Sequence, residues 1–196
     1  MQQYLQAIVT VLALVNPIIC GAMFAQIEAD QTSATRFADA TKAALAVLVI
    51  LVIAALVGAR VLQLFGISLD AFSVAGGGVL AWIGFYMLRG NSGPASNQKR
   101  SLTAVILFAA SPGTITGVIT LAVAHSRLEL PITALVAVTL AAPVMWIAMV
   151  LMARGGTRAR GGLMRETATR FMELIVVAMG VQFALTGIHD FTTVKP

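Results

Sequence analysis

The sequence predicts an all-α membrane protein: six transmembrane helices arranged as two inverted three-helix repeats, with the first and fourth helices broken near the bilayer midplane at Asn16-Pro17 and Ser111-Pro112. Three observations carry this expectation. The chain of 196 residues is 59% hydrophobic and 11% charged, with a mean hydropathy of +0.91, where a soluble domain carries roughly 25% charged residues. Its apolar residues fall into six long runs. The first and fourth runs carry the same interruption, a helix-capping residue followed by proline, in "LVNPIICG" and "AASPGTITG".

The runs extend roughly from Tyr4 to Ile27, Ala40 to Leu64, Leu69 to Leu88, Thr103 to Ala124, Pro131 to Ala153 and Phe171 to Ile188. Each is close to the roughly 20 residues that cross a bilayer core as a helix. Strands of an outer-membrane barrel would be about half as long and would alternate in polarity. The runs occupy nearly the whole chain, so no separate soluble domain is expected. "MQQYLQ" carries no Lys or Arg, so the run behind it is expected to remain as a span rather than to serve as a cleavable signal. Cys20 is the only cysteine. That excludes an internal disulfide or a CxxC relay, and on an apolar helix it is expected to pack as a small residue.

Orientation follows from the basic residues in the connections. One side holds three, Arg60, Arg127 and Lys195; the other holds ten, Arg36, Lys42, Arg89, Lys99, Arg100, Arg154, Arg158, Arg160, Arg165 and Arg170. The second set is expected in the cytoplasm and both termini outside. The net charge of +5 then reflects topology and lipid headgroups, with no nucleic-acid partner. The segment 91–100, with Gly93 and Pro94, is expected to be a cytoplasmic linker between repeat one, 1–90, and repeat two, 101–196. Three spans per half is an odd number, so the halves enter from opposite sides and the repeat must be inverted. Pro17 and Pro112 stand 95 positions apart and Gly76 and Glu173 stand 97 apart, as one duplication would leave them.

Proline supplies no backbone N–H and disfavours the helical conformation before it. A continuous helix would leave the carbonyls of Ala13 and Phe108 without partners, which hydrocarbon does not tolerate unless the break faces protein or a wet cavity. Asn and Ser are strong N-caps, and proline is favoured at the first helical position. Asn16-Pro17 and Ser111-Pro112 therefore read as the starts of two half-helices. The N–H groups of Ile18 and Ile19, and of Gly113 and Thr114, are expected to point into the gap and to suit a carboxylate. The alternative for either proline is a structural kink of the kind Pro143 implies in the fifth span.

The remaining candidates are weighed by position. Ser73, Gly77, Ala81 and Gly84 follow helical spacing on the third span beside Gly76, and Gly180, Ala184 and Gly187 do so on the sixth. Such faces serve helix packing, within a monomer or in a homo-oligomer. Glu173 is a carboxylate inside a span, where such groups are usually functional. It is either a gate or proton-coupling group or one half of an interfacial pair with Arg170, three residues back. Gln182 is expected to bond to a neighbouring helix, and Asp70 to cap the third span. His125 and His189 lack a third ligand and make no metal site.

With these residues in place, the chain resembles the MarC family of six-span bacterial and archaeal membrane proteins, which includes a small neutral amino acid transporter of the LysE-like exporter superfamily. The resemblance covers nearly the whole chain and rests on "NPI" with Phe24, "FGISLDAFSVAGG", "SPGTIT" and "VQFALTGI". The chain departs from the family at Ile19, Cys20 and Ala22, where Gly, Asn and a second Pro are usual. It departs again at Ser111, where Gly-Pro-Gly is usual, at Leu107, where a further proline is common, and at Glu173, which replaces a glycine. The resemblance implies a bacterial or archaeal cytoplasmic membrane and a small neutral amino acid as substrate.

The expected function is a secondary transporter that exports or exchanges small neutral amino acids by alternating access, not an enzyme. Asn16, Pro17, Ile18, Ile19, Ser111, Pro112, Gly113 and Thr114 would form the binding site, and Glu173 the gate or proton-coupling group. No Gly-Lys-Ser/Thr nucleotide motif is present, so gradients supply the drive and no cofactor is expected. An intramembrane lipid-modifying enzyme is the alternative from another class. It would need a nucleophile with a base or a cluster of acids, and Glu173 stands alone in its span. A passive channel for small solutes is the third possibility.

Overall fold

The computed structural model describes residues 2–89, 101–124, 131–154 and 163–193. The linker 91–100, His125 and the basic residues Lys99, Arg100, Arg127, Arg158, Arg160 and Lys195 lie outside them. The described residues form eight helices: α1 (Gln2–Val15), α2 (Pro17–Ile27), α3 (Ser33–Leu64), α4 (Leu69–Leu88), α5 (Leu102–Ala109), α6 (Pro112–Ala124), α7 (Ile132–Arg154) and α8 (Leu163–Thr193). They make six segments long and apolar enough to span a membrane. The first is α1 with α2 and the fourth is α5 with α6, so both breaks fall where proline puts them. Pro143, by contrast, sits inside an uninterrupted α7.

Several boundaries differ from the apolar runs. Helix α3 starts at Ser33, because Thr32 caps it by accepting from the Thr35 N–H at 3.3 Å. The polar turn that follows is helical outside the hydrophobic stretch. Helix α8 likewise starts at Leu163, ahead of the apolar run. Asp70 does not cap α4. Ser68 does, its Oγ accepting from the Ala71 N–H at 3.2 Å, and Asp70 falls in the first turn, where a carboxylate suits the helix dipole. Gln182 bonds within its own helix, to Thr186 Oγ1 at 3.2 Å, rather than to a neighbour.

Two groups of helices hold the fold. Helix α7 is the hub of the larger one, burying Ala134, Ala137, Ala141, Met145 and Met149 and packing against α1, α2, α3 and α6. Close approach is written into Gly21 on α2. A Cβ there would lie 2.5 Å from Met152 Sδ and 3.0 Å from the Ala148 carbonyl of α7. The second group is the α4–α8 pair. A Cβ on Gly77 would lie 2.5 Å from the Gly180 carbonyl, and one on Gly84 would lie 2.7 Å from Val177. A Cβ on Gly180 would strike the Ala81 backbone nitrogen. Lipid tails are as apolar as Leu, so association in a bilayer rests on this kind of close packing. The small faces expected from sequence are thus consumed within the chain. Gly76 faces elsewhere, towards Thr116 of α6. Leu45, Val49, Ile53 and Val57 of α3 are exposed and form a lipid-facing row.

Gly180→Ala should lower stability by about 1–3 kcal/mol through overpacking. Gly78, where a Cβ would meet nothing within 4 Å, should tolerate alanine or gain slightly from helix propensity. Thermal unfolding in detergent compares the two; equal losses would mean that the α4–α8 contact does not depend on the missing Cβ.

Candidate functional site

The two breaks are closed by the same local chemistry. At the first, Asn16 Oδ1 accepts from the Ile19 N–H at 3.3 Å, and the Asn16 carbonyl accepts from the Cys20 N–H at 3.1 Å. At the second, Ser111 Oγ accepts from the Thr114 N–H at a long 3.4 Å, and the Ser111 carbonyl accepts from the Ile115 N–H at 2.9 Å. Pro17 and Pro112 each hold the first helical position. The caps therefore satisfy Ile19 and Thr114, two of the four N–H groups expected to be open. Ile18 and Gly113 are the positions that a helix start cannot satisfy from within.

The carbonyl sides are satisfied differently. Pro17 gives the Ala13 carbonyl no N–H, whereas the Phe108 carbonyl accepts from the Ser111 N–H at 3.2 Å, so the expected loss there does not arise. The Val15 carbonyl accepts from Cys20 Sγ at 3.1 Å. Cys20 thus does more than fill space, a role its residue type alone did not reveal. The Leu14 carbonyl accepts from Thr114 Oγ1 at 3.4 Å. Ser111 Oγ stands 3.1 Å from Thr114 Oγ1. With the Thr114 proton directed at Leu14, Ser111 must donate to Thr114, so the hydroxyls run in relay from one break to the other. This bridge brings Asn16, Ser111 and Thr114 into one locus: the last turn of α1 against the first turn of α6.

Burial there is nearly complete, with Asn16 1% and Thr114 0% exposed. Asn16 is also strained. Its φ of 49° and ψ of 73° are left-handed, and it is the only non-glycine residue with positive φ among the described residues. Asn tolerates that region better than most residues because its short side chain bonds locally. Its Nδ2 is buried without a hydrogen-bond partner. An unmet buried donor costs about 1–3 kcal/mol, and in a native fold it calls for a reason.

Around the breaks lies a wall from α4 and α8. Leu14, Leu80 and Val176 are buried together, with Met179 and Phe183 packed on them. A Cβ on Gly113 would meet Leu80, and one on Gly117 would meet Leu14 and Phe183, so both glycines let α6 settle here. Thr116 Oγ1 donates to the Pro112 carbonyl at 2.8 Å, and Ser73 and Thr120 lie 3.3 Å apart across α4 and α6.

Glu173 stands at one edge of this wall, three residues before Val176 and itself buried, and Arg170 Nη1 stands 3.4 Å from its Oε2. The same nitrogen donates to the Leu88 carbonyl at 2.7 Å, tying the start of the sixth span to the end of the third. Of the two sequence readings, the geometry is that of the interfacial pair.

A family model described as "MarC family integral membrane protein" matches residues 1–192. The chain belongs to the MarC family. Among similar proteins is the "UPF0056 inner membrane protein MarC" of Salmonella typhimurium, 31% identical over 208 residues, covering 93% of this chain and 92% of that one. The "UPF0056 membrane protein YhcE" of Escherichia coli K12 is 32% identical over 197 residues, covering 94% and 91%. The MarC protein of Citrobacter koseri is 30% identical over 208 residues, covering 93% and 92%. No solved structure matches. This MarC-family chain is accordingly an integral membrane protein, and several of its relatives are named inner membrane proteins.

Thr114→Val keeps the shape but removes the donor to Leu14 and the acceptor for Ser111, so it should cost about 1–3 kcal/mol of stability. Thr114→Ser keeps the hydroxyl and should cost about 0.8 kcal/mol, the value of one buried methylene. Thermal unfolding of both variants in detergent checks the order; reversal would mean that the bridge between the breaks contributes nothing.

Proposed function

We propose that this chain is a secondary transporter that binds a small neutral amino acid between the two helix breaks and moves it across the cytoplasmic membrane by alternating access. The observation that carries the reading is the unpartnered Nδ2 of Asn16, buried where the end of α1 meets the start of α6. A donor without an acceptor fits a carboxylate, and the Ile18 and Gly113 N–H groups at the half-helix starts fit it too. The same locus holds the opposite polarity. Helix α1 ends there and α5 ends at the second break, so carbonyl ends with partial negative charge face the N-terminal ends of α6 and α2. The Ala13 carbonyl, which Pro17 cannot serve, adds an acceptor for an ammonium group. Adjacent sites of both signs suit a zwitterion better than a simple anion. Complete burial limits the ligand to a small one.

The helix pairing supports two exchangeable halves. The third and sixth spans pack on each other, as do the second and fifth. The first packs on the fifth as the fourth packs on the second, and the first on the sixth as the fourth on the third. Each of these pairs maps onto another, or onto itself, when the halves trade places, the property alternating access exploits in inverted repeats; the packing of the fourth span on the fifth, α6 on α7, has no such counterpart among the described residues.

Purified protein in liposomes should give saturable flux of glycine or alanine that internal unlabelled substrate stimulates. Asn16→Gly preserves the left-handed backbone but deletes the amide, and should lower flux about tenfold, the equivalent of 1.4 kcal/mol. Asn16→Asp preserves the cap acceptor but presents oxygen where the carboxylate needs a donor, and should lower flux further, with thermal unfolding in detergent measuring what the buried carboxyl costs the fold. A lack of saturable flux across a panel of small amino acids, or full flux in Asn16→Asp, would reject the site.

A further inference from the structure

The end of the molecule that carries Glu28, Arg36 and Ala153 holds a second unpartnered buried polar group, which the breaks do not use. Glu28 follows α2 as its C-cap, is 5% exposed, and has an Oε2 with no hydrogen-bond partner. Arg36, the obvious counter-ion, is spent otherwise. Its Nε donates to the Glu28 carbonyl at 2.9 Å, its Nη2 to the Ala29 carbonyl at 2.7 Å and its Nη1 to the Ala153 carbonyl at 2.8 Å. One guanidinium on α3 thus closes the C-terminal ends of both α2 and α7, where a cation is favoured. The Glu28 carboxyl sits inside this clasp, at the negative end of α2, where ionisation is disfavoured.

We propose that Glu28 is a proton-binding site that keeps the α2–α3–α7 clasp shut when protonated and releases it when ionised. The charged groups around it come from few elements. Helix α3 brings Arg36, Asp39 and Lys42, with Lys42 held 2.8 Å from Asp39. Helix α7 brings only Arg154, exposed at its end, and α5 brings no titratable group. Burial raises the Glu28 carboxyl above the ordinary glutamate range and Asp39 adds to the rise, while Arg36 and Lys42 offset part of it. A raised value favours the shut state in acid. The contribution is complete below the ordinary glutamate range and is lost as pH climbs through the higher value of the shut state. Opening at this end therefore releases a proton to that side. For the transport role, on which this coupling rests, it would link flux to a proton gradient. The part that the sequence reading gave to Glu173 passes to Glu28.

Trp146 offers a reporter. It lies on α7, donates from Nε1 to Thr41 Oγ1 at 3.0 Å, and meets Phe37 edge-to-face at 5.2 Å, beside Arg36 on α3. Trp82, the other tryptophan, is 70% exposed and can be replaced by Phe. In Trp82→Phe protein, Trp146 emission should change with pH at a midpoint above that of free glutamate. Adding Glu28→Gln should abolish the change and fix emission at its acid value. Adding Asp39→Asn should move the midpoint down. The proposal is overturned if Trp82→Phe protein shows no transition, or if the transition survives Glu28→Gln. Should Glu28→Gln not fold, an unmoved midpoint in Asp39→Asn overturns it instead. In liposomes, Glu28→Gln should keep exchange but lose accumulation driven by a pH gradient. Absence of any flux in wild-type protein would reject the transport role, and the fluorescence titration would still decide the proton site.

Discussion

A backbone carbonyl at the end of a helix inside hydrocarbon has no water to turn to, and this chain creates such carbonyls twice, at Pro17 and Pro112. The rest of the structure is arranged around their needs. Thr114 reaches from the start of α6 to the Leu14 carbonyl at 3.4 Å, and Cys20 reaches back to Val15 at 3.1 Å. The Thr114 hydroxyl would be out of range if α6 ran at the usual spacing of about 8–10 Å from its neighbours with large side chains between. Gly113 and Gly117 permit the approach by leaving room for Leu80, Leu14 and Phe183.

That requirement explains why α4 and α8 are built as they are. Leu80 and Phe183, which fill the space left by the α6 glycines, stand on two helices locked by Gly77, Gly84 and Gly180. A pair that close has little freedom to slide, so it presents a firm wall. The opposite wall, around α7, combines many Ala with Met145 and Met149. Unbranched methionines fill irregular gaps, a suitable filling beside two interrupted helices that do not offer a regular surface. Rigidity on one side and adaptability on the other follow from residue choice alone.

The six spans and both breaks were legible in the sequence because they depend on composition and on proline, whose effects are local. The small faces of the third and sixth spans were legible for the same reason, since spacing fixes which residues share a side. What escaped was everything set by a partner remote in sequence. The hydroxyl of Thr114 serves a carbonyl 100 residues away, and Arg36 serves one 117 residues away. Glu28 and Arg36 stand in a short polar stretch that reads as an ordinary loop, and only the fold reveals that one is buried and the other spent. For Glu173 local spacing was enough: of the two roles it allowed, the pair with Arg170, three residues back, is the contact present.

Helix α2 joins the two buried side-chain groups that lack a partner among the described residues, the Asn16 amide and the Glu28 carboxyl. It has 11 residues, about 16 Å at the usual rise, with Asn16 at its head and Glu28 at its foot. A helix of that length moves as a rod. Its head is hinged at a residue with positive φ, where the chain has already left helical geometry and turning strains few further bonds. Its foot is held by a single guanidinium that also holds α7. Release at the foot therefore leaves α2 anchored chiefly by Gly21 against Ala148 and Met152 and by its buried face. Any tilt about that contact displaces the Asn16 cap and, with it, the Ile18 N–H. The orphan amide and the orphan carboxyl thus stand at the two ends of one short helix, and in the proposed transporter a change at its foot would reach the Asn16 cap through an unbroken run of helical backbone.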